Sequence, residues 1–135
     1  MYLIIVGAGA VAQQLVAIAI EQGHRVAVIE KETERARNIM QKFDIQIFNA
    51  DVAQAHILEE AEVDKADAIV ATTKDDSVNL MAMVLGKNYQ VQTLATLLQE
   101  KEHQTMFEKL GVKVLSDPEK LIAQQLHSLI DSDNN

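Results

Sequence analysis

The stretch that most limits the folds open to this chain is Tyr2 to Glu30. Leu3, Ile4, Ile5 and Val6 make a short, largely β-branched run that stops at Gly7-Ala8-Gly9-Ala10-Val11-Ala12, and an alanine-rich helical stretch then runs to about Gly23. Val26-Ala27-Val28-Ile29 reads as a second buried strand, with Glu30 at its end. The glycines have the G-x-G-x-x-A form of a dinucleotide fingerprint. Gly7 permits a tight turn, Gly9 has no Cβ and lets a pyrophosphate approach the backbone, and Ala12 is small enough for the helix to sit on the sheet. Free N–H groups at the helix start then face the phosphates. Glu30 stands at about the 20-residue spacing at which an acid takes ribose hydroxyls. A tight turn beside a solvated glutamate is the bland alternative.

The remaining chain repeats the strand and helix alternation. Thr33 to Phe43 places Ala36, Ile39, Met40 and Phe43 at helical spacing, and Ile45 to Phe48 then reads as a third strand ending at Asn49-Ala50-Asp51. Ile57, Leu58 and Ala61 mark a short helix. Ala68-Ile69-Val70-Ala71 is a fourth strand, followed by the polar turn Thr72-Thr73-Lys74-Asp75-Asp76. The helix after it has Val78, Met81, Ala82 and Leu85 on one stripe, and Leu80, Met83 and Val84 on another. Two apolar faces call for two neighbours, either deep within the domain or on a second subunit. Val91 to Leu97 and Val112 to Leu115 read as strands on either side of a helix with Met106, Phe107 and Leu110 that ends at a C-cap, Gly111. Ser116-Asp117-Pro118-Glu119 signals the start of a final helix capped by the serine, with Ile122, Leu126, Leu129 and Ile130 on one face. Six alternations predict a Rossmann-like, doubly wound parallel sheet in the order 3-2-1-4-5-6, within one α/β domain over residues 1–130 and a polar tail over 131–135. The ligand crevice then lies across the carboxyl ends of strands 1 and 4, and gathers Gly7 to Val11, Glu30, Asp51 and Thr72 to Lys74.

Composition narrows the chemistry. The 135 residues hold no cysteine, which excludes disulfides and thiol catalysis, and a net charge of −8 with scattered Lys and Arg disfavours nucleic acid. Apolar runs are strand-sized, well short of the roughly 20 residues that cross a bilayer, so any membrane association comes through a partner. His24, His56, His103 and His127 fall in different elements with no paired carboxylate or metal spacing, and no G-K-[ST] follows the glycines, so neither a metal site nor a P-loop is expected. A dehydrogenase needs a second lobe for its substrate, and the chain is spent on the nucleotide fold. Regulation through a bound nucleotide is the leading expectation; the cofactor half of an NAD-dependent oxidoreductase is the alternative. Glu30 accepts from ribose hydroxyls and repels a 2′-phosphate, which favours NAD or an adenosine nucleotide over NADP, although Arg35 and Arg37 lie nearby.

The opening IIVGAGAVA, Glu30, Ala50-Asp51, the run ILEEAEVDKADAIVATTKDDSVNL and the closing FEKLGVKVLSDPEKLIAQQL resemble the TrkA-N, or RCK N-terminal, family that regulates potassium conductance. The middle run is the most specific, with Asn79 at a helix start after an acid-rich turn. The resemblance implies a non-enzymatic cytoplasmic regulator of a membrane potassium channel or transporter, assembled as dimers or higher rings and binding NAD, NADH, ATP, ADP or AMP. It assigns Gly7, Ala8, Gly9, Ala10 and Val11 to the phosphates, Glu30 to the ribose, Asp51 to the adenosine side, and Thr72, Thr73 and Lys74 to the far end, with Asn79 supporting that turn. Ala10 stands where triphosphate-binding members carry arginine, Thr96 where an arginine is often found, and Ala50 and Ala12 where glycine is usual. These departures rank NAD or NADH and the smaller adenosine nucleotides above ATP. Relatives commonly continue into a second, smaller ligand domain.

Overall fold

A computed structural model describes residues 1–133. Strands β1 (Tyr2–Val6), β2 (Arg25–Ile29), β3 (Gln46–Phe48), β4 (Ala68–Ala71), β5 (Thr93–Leu98) and β6 (Lys113–Ser116) form one parallel sheet in the order β3-β2-β1-β4-β5-β6. The helices are α1 (Ala10–Glu21), α2 (Thr33–Lys42), α3 (Ile57–Glu60), α4 (Asp76–Asn88), α5 (Gln104–Leu110) and α6 (Pro118–Asp133), with short 3-10 turns at Val63–Lys65 and Lys101–His103. The predicted architecture and strand order are the observed ones.

Alternation along each strand sorts side chains to two faces. Ile4, Val6, Ile69 and Leu94 point to the face covered by α3, α4 and α5, where Leu58, Met83 and Phe107 are buried against them. Leu3, Ile5, Val26 and Val28 point to the other face, beneath Ala12, Val16 and Ala19 of α1 and Ile39 of α2. Helix α4 approaches closely because Gly86 has no side chain; a Cβ there would lie 2.5 Å from Leu94 Cδ2. The two stripes expected on α4 are not both covered. Ala82 and Met83 are buried, whereas Met81 and Val84 face solvent. Met40 likewise points outward from α2, although it shares the spacing of Ala36 and Ile39.

The C-terminus departs further from expectation. Ser116 closes β6 and Asp117 precedes the helix, its carboxylate accepting from Lys120 N–H at 3.3 Å, so the aspartate takes the capping role assigned to the serine. Gly111 ends α5 in the left-handed conformation, as a C-cap glycine does. Helix α6 extends through Asp133 into the stretch expected to be a tail, and residues 134–135 of that tail lie outside the described residues. Ile122, Leu126, Leu129 and Ile130, which recur on one face, are all exposed.

The register fixes where a ligand can sit. Val6 pairs with Ile29 on one side and with Ala71 on the other, so β1, β2 and β4 end level and their loops open into one crevice. The strand order reverses there, with β2 and β3 on one side of β1 and β4, β5 and β6 on the other.

Candidate functional site

Gly7 and Gly9 occupy the turn from β1 to α1 for different reasons. Gly7 has φ +107°, and a Cβ would come within 2.7 Å of Thr72 Oγ1, so the turn itself requires glycine. Gly9 has φ −78°, which any residue adopts, and a Cβ would meet nothing within 4 Å. The protein's own packing does not explain Gly9; its missing Cβ keeps the crevice wall open at the start of α1. No side chain caps that helix, and its first turn holds no acid. Free amide hydrogens at an uncapped helix start suit an anion.

Glu30 lies across the turn at the end of β2 and is 6% exposed. Ala8 N–H donates to Oε1 and Glu32 N–H to Oε2, both at 3.0 Å. The carboxylate thereby bridges the glycine turn and the start of α2, and each oxygen keeps a lone pair for a further donor. Asn49 Nδ2 donates to the Glu30 carbonyl at 3.0 Å and ties the end of β3 into the same corner.

Opposite, the turn from β4 to α4 is held by the protein alone. Asn79 is fully buried: its Oδ1 accepts from Thr73 Oγ1 at 2.6 Å and Thr73 N–H at 3.2 Å, and its Nδ2 donates to the carbonyls of Thr73 and Leu97. Asp75 caps α4 by accepting from Ser77 and Val78 N–H. Asp76 reaches back to β5, accepting from Gln99 and Glu100 N–H, and its Oδ2 lies 2.8 Å from His103 Nδ1. Burial opposes the Asp76 carboxylate, but those two amides and the imidazole together hold it below the usual aspartate range. The same carboxylate raises His103.

These loops enclose a crevice of about 280 Å³. Gly7, Ala8, Gly9, Glu30, Asp51, Thr73 and Lys74 line it, as do Arg35, which the sequence placed near Glu30, and Glu32, Val52 and Val78, which the motifs did not single out. Asp51 sits on the β3 side, where its Oδ1 accepts from Ala53 N–H at 2.9 Å. Ala10, Val11 and Thr72 instead line a neighbouring groove on the α1 side, and Asn79 lies beneath the Thr73 turn. Thr72 Oγ1 donates to the Val6 carbonyl, which locks it to β1. Arg35, in an ion pair with Glu32 at 3.3 Å, brings a guanidinium to the β2 side.

No group of three or more His, Asp or Glu residues with metal-binding geometry occurs among the described residues. The histidines do differ from expectation, because His56, His103 and His127 each face a carboxylate, of Glu59, Asp76 and Asp131. Only the Asp76 partner is buried.

A glycine turn opening an uncapped helix, a bridged acid one strand over and a crevice at the reversal of strand order define a Rossmann-type domain. The residues present fit an adenine-bearing diphosphate at that place. The chain belongs to the TrkA-N domain family, whose pattern it matches over residues 3–118. It is 31% identical over 130 residues to the Trk system potassium uptake protein TrkA homolog of Methanothermobacter thermautotrophicus, covering 96% of this chain and 60% of that protein. The chain thus spans less than two thirds of that relative's length. The fold is shared with the TrkA-N domain of inner membrane protein ybaL from Escherichia coli, at a TM-score of 0.82 and 14% identity over 95% of this chain and 96% of that one. It is also shared with the GsuK channel bound to NAD, at a TM-score of 0.75 and 16% identity over 84% of this chain and 21% of that one.

Proposed function

We propose that this domain is a nucleotide-sensing regulatory module of a potassium channel or transporter. NAD or NADH, or a smaller adenosine nucleotide, occupies the crevice, and the change it brings is passed to a membrane partner. The observation that carries this reading is Gly9: its glycine has no packing reason, and it opens the uncapped start of α1 toward the crevice. Gly7, Ala8 and Gly9 hold the phosphates there, with Ala10 and Val11 supplying amides from the first turn of α1. Glu30 accepts the ribose hydroxyls, and Asp51 and Arg35 flank the adenosine side. Thr73 and Lys74 meet the far end of the ligand, with Asn79 fixing their turn.

Kinship supports the regulatory part. The matched relative is named for potassium uptake, and the GsuK channel that shares the fold is a structure with NAD bound. No helix among the described residues is long and apolar enough to cross a membrane, so on this reading the domain acts from the cytoplasm through its partner. The role is non-enzymatic: a nucleotide acts here through its differential affinity for two arrangements of the assembly.

Glu30 sets the choice of ligand. Its carboxylate is buried beside the crevice and disfavours a 2′-phosphate, so NAD and ADP are expected to bind at least roughly tenfold more tightly than NADP. Ala10, lacking a cation, offers no partner to a γ-phosphate, which ranks ATP lower. Titration calorimetry with NAD, NADH, NADP, AMP, ADP and ATP tests the order. Heat from NADP alone, or from none of the six at millimolar concentration, overturns the reading. Turnover of bound NAD on adding a reducible substrate would instead favour the oxidoreductase alternative.

A further inference from the structure

Between Gly7 and Gly9 stands one residue whose two peptide groups are each fixed by a side chain. Ala8 is 1% exposed. Its N–H donates to Glu30 Oε1 on the β2 side, and its carbonyl accepts from Gln13 Nε2 at 3.2 Å on the α1 side. Gln13 is held in turn from α2, where Lys42 Nζ donates to its Oε1 at 2.8 Å. A chain of bonds thus runs from the last residue of α2, through one side chain of α1, to the backbone of the glycine turn.

The bond to the Ala8 carbonyl carries a direction. A trans peptide sets its C=O and N–H on opposite sides, so a carbonyl aimed at Gln13 turns the Gly9 N–H the other way, toward the crevice that Gly9 lines. That N–H has no partner among the described residues. Rotating the Ala8–Gly9 peptide by half a turn would carry φ of Gly9 from −78° to about +100°, a conformation that glycine adopts at little cost. The glycine that opens the crevice wall is therefore also the place where the amide is free to turn over. Turned over, it presents a carbonyl oxygen to the phosphates.

Lys42 decides which end of the Gln13 amide faces the turn. A side-chain amide offers an acceptor at one end and donors at the other, whereas an ammonium only donates. With Lys42 on Oε1, Nε2 is left for the Ala8 carbonyl. Reversed, the amide would set Oε1 against that carbonyl and Nε2 against the ammonium. Neither Gln13 nor Lys42 lines the crevice itself.

We infer that Gln13 and Lys42 are positioning residues for the phosphate site: Lys42 orients the Gln13 amide, and Gln13 holds the Ala8–Gly9 peptide with its N–H toward the ligand. This rests on the proposed placement of the phosphates at the glycine turn and adds what keeps that turn in its binding form. Gly9 supplies the opening, and a side chain one helical turn further on removes the freedom that comes with it.

The test uses the whole chain and three variants: Q13M, which keeps the length of the side chain and loses both polar ends, K42M, and the two combined. Titration calorimetry with ADP gives affinity, thermal melts give stability, and proton–nitrogen correlation spectra of the unliganded protein report the Gly9 amide. Q13M is expected to bind ADP roughly tenfold more weakly and K42M about threefold. The combined variant binds no more weakly than Q13M, because Lys42 acts only through Gln13. Gly9 gives one sharp resonance in wild type and a doubled or exchange-broadened one in Q13M, as the peptide turns over. Affinity within about twofold of wild type in Q13M, a K42M loss that persists in the Q13M background, or an unbroadened single Gly9 resonance in Q13M overturns the inference. A lower melting temperature with ADP affinity kept would make the pair a tie between α1 and α2 and nothing more. If wild type itself binds no ADP, the phosphate site fails, and the Gly9 resonance still decides whether Gln13 holds the peptide.

Discussion

The crevice is bounded by two strand-to-helix turns that reach opposite solutions to one problem. At the head of α4, Asp75 takes the amides of Ser77 and Val78, and Asn79 takes up the polar groups of Thr73. At the head of α1, no side chain caps the helix and Gly9 leaves the space beside it open. A helix start that satisfies itself serves architecture, whereas one left open has amides to offer, and on the proposed reading a nucleotide takes them. Variants in the α4 turn should therefore be felt as lost stability, and variants at Gly9 as lost binding.

The largest expected effect is at Asn79. Replacing it by alanine removes the acceptor of Thr73 N–H and Oγ1 and the amide that donates to the Thr73 and Leu97 carbonyls, a loss of about 3 kcal/mol. Urea unfolding should show it, and binding should fall as well because the Thr73–Lys74 turn loosens. An unchanged midpoint would mean that water replaces the amide and that the α4 turn is not self-contained.

Gly9→Val tests the other side. Its backbone conformation suits valine and the Cβ meets no atom of the protein, so the melting temperature should stay near wild type. Affinity for NAD or ADP should drop roughly tenfold or more, because the side chain enters the phosphate path. If stability falls and affinity does not, Gly9 is a structural glycine like Gly7.

How far the chain could be read follows from the range of each signal. Strands, helices and their order were legible because period-2 and period-3.6 patterns are local, and the glycines and Glu30 because the fingerprint lies within one βαβ unit. Periodicity identifies an apolar face but not its neighbour: Ala36 and Ile39 are buried while Met40 is not, and the stripe on α6 faces solvent. The groove side of Ala10, Val11 and Thr72 was hidden for the same reason, since it depends on which way α1 and β4 turn their surfaces. Glu30 was read as a free acceptor for ribose; its bonds to Ala8 and Glu32 make it part of the turn as well, so its replacement by arginine would not be neutral to the fold. Asp76 and His103 meet across 27 residues of sequence, and no motif joins them.

A smaller effect is expected at Asp75. Asp75→Ala removes a cap worth about 1 kcal/mol and leaves the α1 turn untouched. The contrast between the two turns predicts a lower urea midpoint with NAD affinity within about twofold of wild type. A collapse of affinity would instead make Asp75, which also lines the crevice, a ligand group.

The smallest and most specific effect is pH dependence at the link between α4 and β5. The carboxylate of Asp76 raises the pKa of His103 above its ordinary 6.5, with burial opposing and Glu100 and Glu102 adding to the rise. The stability His103 contributes is therefore complete below pH 6.5 and is lost as pH climbs through its raised folded value. Asp76 is displaced the other way, below 3.8, so its contribution is present above that value and is lost as pH falls through its folded pKa. The link is strongest between those limits. Urea midpoints measured from pH 2 to pH 9 should decline above neutrality for wild type, and His103→Gln should flatten that decline while leaving an acid limb, below pH 3.8, set by Asp76. Parallel profiles for the two proteins would show that the imidazole proton plays no part in tying the α4 turn to β5, leaving the backbone amides of Gln99 and Glu100 to hold Asp76 alone.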